Sequence, residues 1–216
     1  MILDQSENNK RIAKNTLLLY FRMFFTMAVT LYTSRVILKA LGVEDFGIYN
    51  VVAGIVTLFS FFSGALSSAA SRFISFELGS NNTSYLSKVF SAIFIIHLLF
   101  SVVVVCFAET IGLWVVNCKL TIPPERIFAA HVVYQFSVFS CIVGIMQIPL
   151  NAMIIAHERL GIYAYMSICE VIGKLSIAFV VTYCSFDHLI VYGMLLFSLV
   201  VICLLYTSDA ADDLTR

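Results

Sequence analysis

The run LSKVFSAIFIIHLLFSVVVVCFAETIGLWVV, residues 86–116, decides the fold of this chain. From residue 89 to residue 108 it contains no Asp, Glu, Lys or Arg. A helix needs about 20 predominantly apolar residues to cross the hydrocarbon core of a bilayer. A helix also satisfies its own backbone hydrogen bonds, which a segment in lipid must do because no water is present there. The run therefore predicts a transmembrane α-helix.

Apolar segments of similar length lie on both sides of that run. We predict six spans, at residues 16–38, 46–70, 86–116, 126–152, 162–183 and 188–205. Hydrophobic residues make up 61% of the 216 residues and charged residues 12%, against about 45–50% and 25% in soluble domains. The connections are short, so consecutive helices run antiparallel as neighbours. The predicted fold class is an all-α, polytopic transmembrane helical bundle of about six spans.

The basic residues predict how this bundle is oriented. Lys10, Arg11 and Lys14 lie directly before the first span, and positive residues are retained on the cytoplasmic side. We expect residues 1–14 to be a cytoplasmic N-terminal segment and residues 15–202 to form a six-helix lobe in the lipid bilayer. The formal net charge is zero, so the basic face that nucleic acid binding requires is missing.

The C-terminal residues 203–216 read CLLYTSDAADDLTR. The beginning of this peptide is also the translation of the transposase adapter used in sequencing libraries, and its acidic run interrupts the apolar pattern of the sixth span. We interpret residues 203–216 as a sequencing-adapter artefact and not as native protein, with a genuine polar cytoplasmic tail as the alternative. Residues 1–202 are then the N-terminal part of a larger membrane protein.

Charged side chains inside the first two spans are candidate functional residues. A charge at the bilayer centre costs at least about 2.5–3.5 kcal/mol on insertion scales, so it is retained for a reason. Arg22 either extends its long side chain to the inner interface or lines a cavity. Arg35 lies near the outer end of the first span and Arg72 at the cytoplasmic end of the second. Interfacial placement is the alternative to cavity binding for both.

Two further spans carry titratable groups. Glu170 and Lys174 are four residues apart, so they share one helix face. They either neutralise each other, or Lys174 faces a cavity and Glu170 tunes it. His97 lies in the middle of the third span, where it either hydrogen-bonds a neighbouring helix or relays protons. Glu170 and His97 are the candidates for ion or proton coupling. No metal-ligating spacing or nucleophile–base motif is present, so we expect no metal, no cofactor and no enzyme.

The segment SRVILKALGVEDFGIY, residues 34–49, narrows the class of protein. It contains a basic residue followed by the pattern L-G-x-x-x-F-G-x-Y. This pattern resembles the first loop of polysaccharide flippases in the multidrug/oligosaccharidyl-lipid/polysaccharide exporter superfamily. Residues 14–16 and 71–74 are also similar to that family, and the resemblance covers residues 1–202.

The resemblance implies a protein of two pseudo-symmetric six-helix lobes, of which this chain is the N-terminal one. Its partners are then the missing C-terminal lobe and a polyprenyl-pyrophosphate-linked oligosaccharide. A cationic cavity between the lobes would hold the pyrophosphate, and alternating access would move the sugar across the bacterial inner membrane. The residues implied in that cavity are Arg22, Arg35, Arg72 and Lys174.

Three other functions remain open at this point. A drug/cation antiporter of the same fold would bind its cation through acidic residues, for which Glu170 and Glu109 are available. A membrane enzyme of polysaccharide assembly, such as a polymerase or ligase, would need large periplasmic loops, and the predicted loops are short. A membrane scaffold without transport activity would leave Arg22 and Lys174 facing lipid.

Overall fold

A computed structural model of the chain describes residues 2–79 and 83–215, and helices and short turns account for them with no strand. The α-helices are α1 (Ile2–Thr57), α2 (Ser60–Gly79), α3 (Thr83–Phe107), α4 (Leu113–Cys118), α5 (Ile127–Ala156), α6 (Leu160–Thr182) and α7 (His188–Thr215). A π-helical turn, Ala108–Gly112, joins α3 to α4, and a 3-10 turn, Pro124–Arg126, leads into α5. The predicted all-α helical bundle is confirmed. The connection between the second and third predicted spans, residues 71–85, lies partly outside the described residues.

Five segments of the described chain are long and apolar enough to cross a membrane. They are Thr16–Thr57, Tyr85–Cys118, Pro124–Ala156, Leu160–Thr182 and His188–Ala211. The last four correspond to the third to sixth predicted spans. The first contains the first predicted span and the beginning of the second. The chain therefore has the helix lengths and the composition of a polytopic membrane protein.

Helix α1 is broken at Gly42, which has φ 77° and ψ 171°. A positive φ is accessible to glycine because it has no Cβ. We call residues 2–41 the first arm of α1 and residues 43–57 the second arm. In the first arm, Arg22 contacts Ser167 and Tyr32 lies beside Phe179. Both pairs advance in the same order along the chain, so the first arm runs parallel to α6.

The second arm of α1 runs in the opposite direction, parallel to α7. Asp45 and Asp187 are both bonded to Arg126, and Tyr49 packs against Tyr192 with ring centroids 4.9 Å apart. Helices α6 and α7 are joined by a short turn and pack against each other, so they run antiparallel. The two arms of α1, each parallel to one of these helices, are therefore antiparallel as well. The chain therefore reverses at Gly42, in the short connection between the first two predicted spans. We call this end of the bundle, where Gly42, Arg126 and His188 lie, the Gly42 end.

The second predicted span, residues 46–70, is not one continuous helix. Leu58 and Phe59 form a turn between the second arm and α2, with a 3.1 Å bond from the Phe59 amide to the Val56 carbonyl. The prediction of one unbroken helix over residues 46–70 was therefore wrong. Apolar composition does not show where a backbone turns. Helix α2 is not among the five membrane-type segments, since its serines, Arg72 and Glu77 dilute its apolar residues.

Helix α5 lies at the centre of the bundle and packs against α1, α2, α3, α6 and α7. Its small buried residues Ala129 and Ala130 let neighbouring backbones approach closely, as membrane helices commonly do. Tyr134 is fully buried and donates a 2.7 Å hydrogen bond to the Ala108 carbonyl in the π-helical turn. A Cβ at Gly112, at the other end of that turn, would overlap the Tyr134 hydroxyl. The turn and α5 are thus fitted to each other.

Helix α7 continues without a break as far as Thr215. The acidic run after residue 202 therefore interrupts the apolar pattern of the sixth span but not its helical backbone. Thr207 is buried and accepts a 3.0 Å hydrogen bond from the Gln147 side-chain amide. The interpretation of 203–216 as an adapter artefact stays a prediction. All charged side chains of the candidate site precede residue 203.

Candidate functional site

A cavity of about 390 Å³ lies between the second arm of α1, α5 and α7. Its walls are mostly apolar, with hydroxyl groups contributed by Tyr49, Thr57, Ser137 and Ser140. Lys174 reaches it from α6 and is the one charged residue among those that line it. The cavity therefore offers hydrogen-bonding groups and a single ammonium inside a membrane-type bundle.

A second cavity, of about 170 Å³, lies between the two arms of α1 and α6. Thr30 and Ser34 line it from the first arm, where their spacing of four residues places them on one helix face. Asn50 lines it from the second arm, and Lys174 lines it from α6. Since Lys174 and Tyr49 border both cavities, we treat the two together as the cleft. Its polar groups and its cation suit an anionic ligand that also carries hydroxyl groups.

Lys174 and Glu170 form an ion pair within α6. The Lys174 Nζ donates to Glu170 Oε1 at 2.7 Å, and the two side chains are 43% and 35% exposed. The sequence left two alternatives for Lys174, an ion pair with Glu170 or a position facing a cavity. In the structure Lys174 does both, because it pairs with Glu170 and also lines the cleft. An exposed pair of this kind contributes about 0–1 kcal/mol, so Lys174 can change partners at little cost.

Glu170 lines a third cavity, of about 510 Å³, between α5, α6 and α7. Its α7 wall consists of Cys203, Tyr206 and Ala210, which belong to the segment interpreted as an adapter artefact. Gln147 and Asn151 line it from α5, one helical turn apart, and Glu170 is the charged residue among its lining. The pair thus separates a cavity with one acidic group from a cleft with one basic group. Glu170 and Lys174 lie on the same face of α6, one helical turn apart. This spacing places Glu170 at the third cavity and Lys174 at the cleft.

Arg22 contacts two residues of α6. Its Nη1 donates to Ser167 Oγ at 3.0 Å, and its guanidinium carbon lies 4.6 Å from the centroid of the Tyr163 ring. Its Nε is buried without a hydrogen-bond partner. Arg22 lines none of the three cavities. It attaches the first arm of α1 to α6, in part through a cation–π contact.

Arg35 and Arg72 are both exposed, the first on the first arm of α1 and the second on α2. Neither lines the three cavities. Of the four cationic candidates, only Lys174 borders the cleft in the part of the chain that the structure describes. The assignment of Arg22, Arg35 and Arg72 to an anion site stays a prediction.

His97 is buried in α3, 2% exposed. Its Nδ1 lies 2.8 Å from the Ile93 carbonyl, one turn earlier in the same helix. The sequence suggested a bond to a neighbouring helix instead. Its Nε2 is buried and has no hydrogen-bond partner. A role of His97 in proton coupling stays a prediction.

The Gly42 end carries a charge network that sequence reasoning missed. Arg126 donates to Asp45 Oδ2 at 2.5 Å and to Asp187 Oδ2 at 2.6 Å. Asp187 Oδ1 also accepts from the Leu189 amide at 3.0 Å, which caps the N-terminus of α7. An aspartate directly before an apolar helix is a recognisable cap, but its partners lie too far along the chain to be inferred from spacing.

No protein-family model, curated protein or solved structure matches this chain. In residues 2–79 and 83–215, no group of three or more His, Cys, Asp and Glu side chains is placed to hold a metal ion. The fold and the site together define a helical bundle of the membrane type, with a mostly apolar cleft that Lys174 and several hydroxyl groups border. The function of that cleft has to be argued from its own chemistry.

Proposed function

We propose that this chain is the N-terminal lobe of a flippase that moves a lipid-linked oligosaccharide across the bacterial inner membrane. The observation that carries the proposal is Lys174, a cation midway along α6 that borders both cavities of the cleft. An ammonium that borders a cleft attracts a diphosphate, because hydrogen bonds between a cation and phosphate oxygens are charge-assisted. The resemblance of residues 34–49 to polysaccharide flippases supports the same substrate class.

The rest of the cleft suits the saccharide part of such a substrate. Thr30, Ser34 and Asn50 offer hydroxyl and amide groups to which sugar hydroxyls can hydrogen-bond. Lys174 would move from Glu170 to the diphosphate, which carries more negative charge than one carboxylate. A second lobe would close the open side of the cleft, and alternating access would follow from the two lobes rocking against each other.

Binding by the purified chain in lipid nanodiscs tests this proposal. We expect polyprenyl pyrophosphate to bind in preference to the uncharged polyprenol, as measured by native mass spectrometry. Lys174→Gln should weaken the binding about 10-fold or more, because a hydrogen bond to a charged group contributes about 1.5–3 kcal/mol. Lys174→Arg keeps the charge and should retain most of the affinity.

The matched control is Lys39→Gln, which removes an exposed lysine that lines none of the three cavities. It should bind the lipid as the wild-type chain does. Equal binding by Lys174→Gln and the wild type would reject Lys174 as the anion site. Equal binding of polyprenol and polyprenyl pyrophosphate would reject an anionic substrate.

A drug/cation antiporter is the second candidate, and the third cavity favours it. Glu170 is the charged residue among its lining, and an acidic cavity suits an organic cation or a coupling ion. The same nanodiscs distinguish the two functions with tetraphenylphosphonium as the probe. Binding that Glu170→Gln abolishes, together with no binding of polyprenyl pyrophosphate, would establish the antiporter in place of the flippase.

A further inference from the structure

The turns at the Gly42 end expose large apolar side chains. Val43 follows the break in α1, and Phe128 lies in the first turn of α5. Tyr183 and Phe186 lie in the turn between α6 and α7. Each of these four side chains is more than two thirds exposed within the chain, although removal of apolar surface from water is favourable. We therefore expect this end of the bundle to contact a medium or a partner less polar than water.

The single tryptophan of the chain lies close to the same end and carries a lysine on its ring. Trp114 is about half exposed and lies one helical turn before the end of α4 at Cys118. The Nζ of Lys119 lies 5.3 Å from the centroid of the Trp114 ring, as a cation–π contact. Among the described side chains Lys119 pairs with no carboxylate, whereas Arg126 and Lys174 do. The Lys119 ammonium is therefore held in place and available to an anion from outside the chain.

A phospholipid surface fits both observations. The segments that begin or end here have the length and composition to cross a membrane, so the lipid that would surround them continues to this end. Tryptophan and tyrosine concentrate at the boundary between acyl chains and headgroups, because their rings are apolar and each carries one polar group. A lysine there lays its apolar stem along the ring and keeps its ammonium among the headgroups. The headgroup phosphates supply the anion.

We propose that the Gly42 end lies in the headgroup layer of the bilayer, with Lys119 bound to the phosphate of an anionic phospholipid and the ring of Trp114 just beneath that phosphate. Lys39, Glu44 and Glu125 are also exposed at this end. They contribute one positive and two negative charges, so the end has no general basic patch that would attract anionic lipid. A preference for an anionic lipid must therefore come from the contact with Lys119.

This position also sets the depth of the cleft. Lys174 lies eight residues before Thr182, the last residue of α6, which is about 12 Å along the helix axis. The hydrocarbon core of a bilayer is about 30 Å thick, so Lys174 lies near its middle. That a diphosphate reaches this depth rests on the proposed function, but the lipid contact of Lys119 does not. A chain that binds no polyprenyl pyrophosphate can still show that contact, and a chain without the contact can still bind the substrate.

Fluorescence quenching of Trp114 tests the depth directly, because the chain has no other tryptophan. The chain is placed in nanodiscs of phosphatidylcholine brominated either near the carbonyl groups or near the ends of the acyl chains. We expect bromine near the carbonyl groups to quench the fluorescence more strongly. Stronger quenching by bromine at the chain ends would place Trp114 deep in the core and overturn the inference. Quenching by aqueous iodide and by neither lipid would overturn it too, since this end would then face water or a protein.

Two relocated tryptophans calibrate this measurement in a chain that carries Trp114→Phe. Phe128→Trp moves the indole to another exposed position of the Gly42 end and should give the same shallow profile. Val103→Trp moves it to a half-exposed position of α3, eleven residues before Trp114 and thus about 16 Å along the helix, and should give a deep profile. Equal profiles at positions 103 and 114 would mean that this helix does not cross the bilayer below Trp114, and they would reject the arrangement.

Competition between lipids tests the role of Lys119. In nanodiscs that consist mainly of phosphatidylcholine, brominated phosphatidylglycerol should occupy the site beside Trp114 about 5-fold more readily than brominated phosphatidylcholine, as expected for one lysine near an anionic lipid. Fluorescence is measured relative to the same lipids without bromine, so a direct effect of a substitution on the indole cancels. Lys119→Gln should abolish the preference, and the matched control Lys39→Gln, which removes another exposed lysine of this end, should keep it. No preference in the wild type, or a preference that Lys119→Gln retains, would contradict the contact.

Discussion

The Gly42 end and the cleft around Lys174 use the same kind of interaction with opposite results. At the Gly42 end, one guanidinium bonds two carboxylates at 2.5 Å and 2.6 Å, and the three side chains come from distant parts of the chain. In the cleft, Lys174 bonds Glu170 at 2.7 Å within one helical turn. The first arrangement holds α1, the start of α5 and the start of α7 together. The pair of Lys174 and Glu170 lies within α6 and joins no two helices.

Exposure explains why the two ion pairs differ in what they do. The side chain of Asp45 is 5% exposed, whereas those of Glu170 and Lys174 are 35% and 43% exposed. A buried carboxylate needs its partner, because the alternative is an unpaired charge away from water. An exposed pair loses little when it separates. The comparison indicates that charge at the Gly42 end maintains the structure, while charge in the cleft is available to a ligand.

Substitution of Arg126 should have the largest effect on stability. Arg126→Leu leaves Asp45 and Asp187 without their common partner. We expect a loss of about 2–4 kcal/mol, somewhat below the cost of breaking a fully buried pair, because Arg126 is itself 34% exposed. Thermal unfolding in detergent, followed by circular dichroism, measures it. Arg159→Leu, which removes an exposed arginine, should change little. Equal melting of Arg126→Leu and the wild type would remove the distinction between the two regions.

Substitution of Gly112 should have an intermediate effect. Gly112→Ala places a Cβ against the Tyr134 hydroxyl, and overpacking of a core typically costs about 1–3 kcal/mol. Tyr134→Phe removes that hydroxyl together with its bond to the Ala108 carbonyl. The double variant should therefore be more stable than the sum of the two single changes predicts. Strict additivity in thermal unfolding would show that the π-helical turn adapts to the extra carbon.

The pair in the cleft should have the smallest effect. Glu170→Gln, Lys174→Gln and the double variant form a double-mutant cycle, and we expect a coupling energy below about 1 kcal/mol. The same unfolding measurement gives this value. A coupling above about 2 kcal/mol would mean that the cleft is dry and that Lys174 is held for stability. Transfer of the Lys174 ammonium from Glu170 to a diphosphate, as proposed, would then be disfavoured.

Local features of the sequence predicted much of what the structure contains. Uninterrupted apolar runs predicted the four later membrane segments within a few residues. The short connection between the first two predicted spans predicted the first reversal. The spacing of Glu170 and Lys174 predicted their contact. Each of these depends on residues that lie within one or two helical turns of each other.

Features that depend on distant residues were not predicted. Arg126 lies 81 positions from Asp45 and 61 from Asp187, and no spacing rule connects them. The contact of Arg22 with Ser167 and Tyr163 likewise joins α1 to α6, and the depth of Arg22 in its span does not reveal it. The turn at Leu58 and Phe59 lies within an apolar run and carries no Gly or Pro to mark it.

The sequence by itself determined that this chain is a bundle of long apolar helices. Backbone hydrogen bonds in a helix are local, and the hydrophobicity of a segment is a sum over its own residues, so both can be read without knowing the neighbours. Only the tertiary structure decided which charges are paired across helices and which face a cavity. Those outcomes depend on how helix faces meet, because the same lysine is a structural cation against a buried carboxylate and a binding group beside an open cleft.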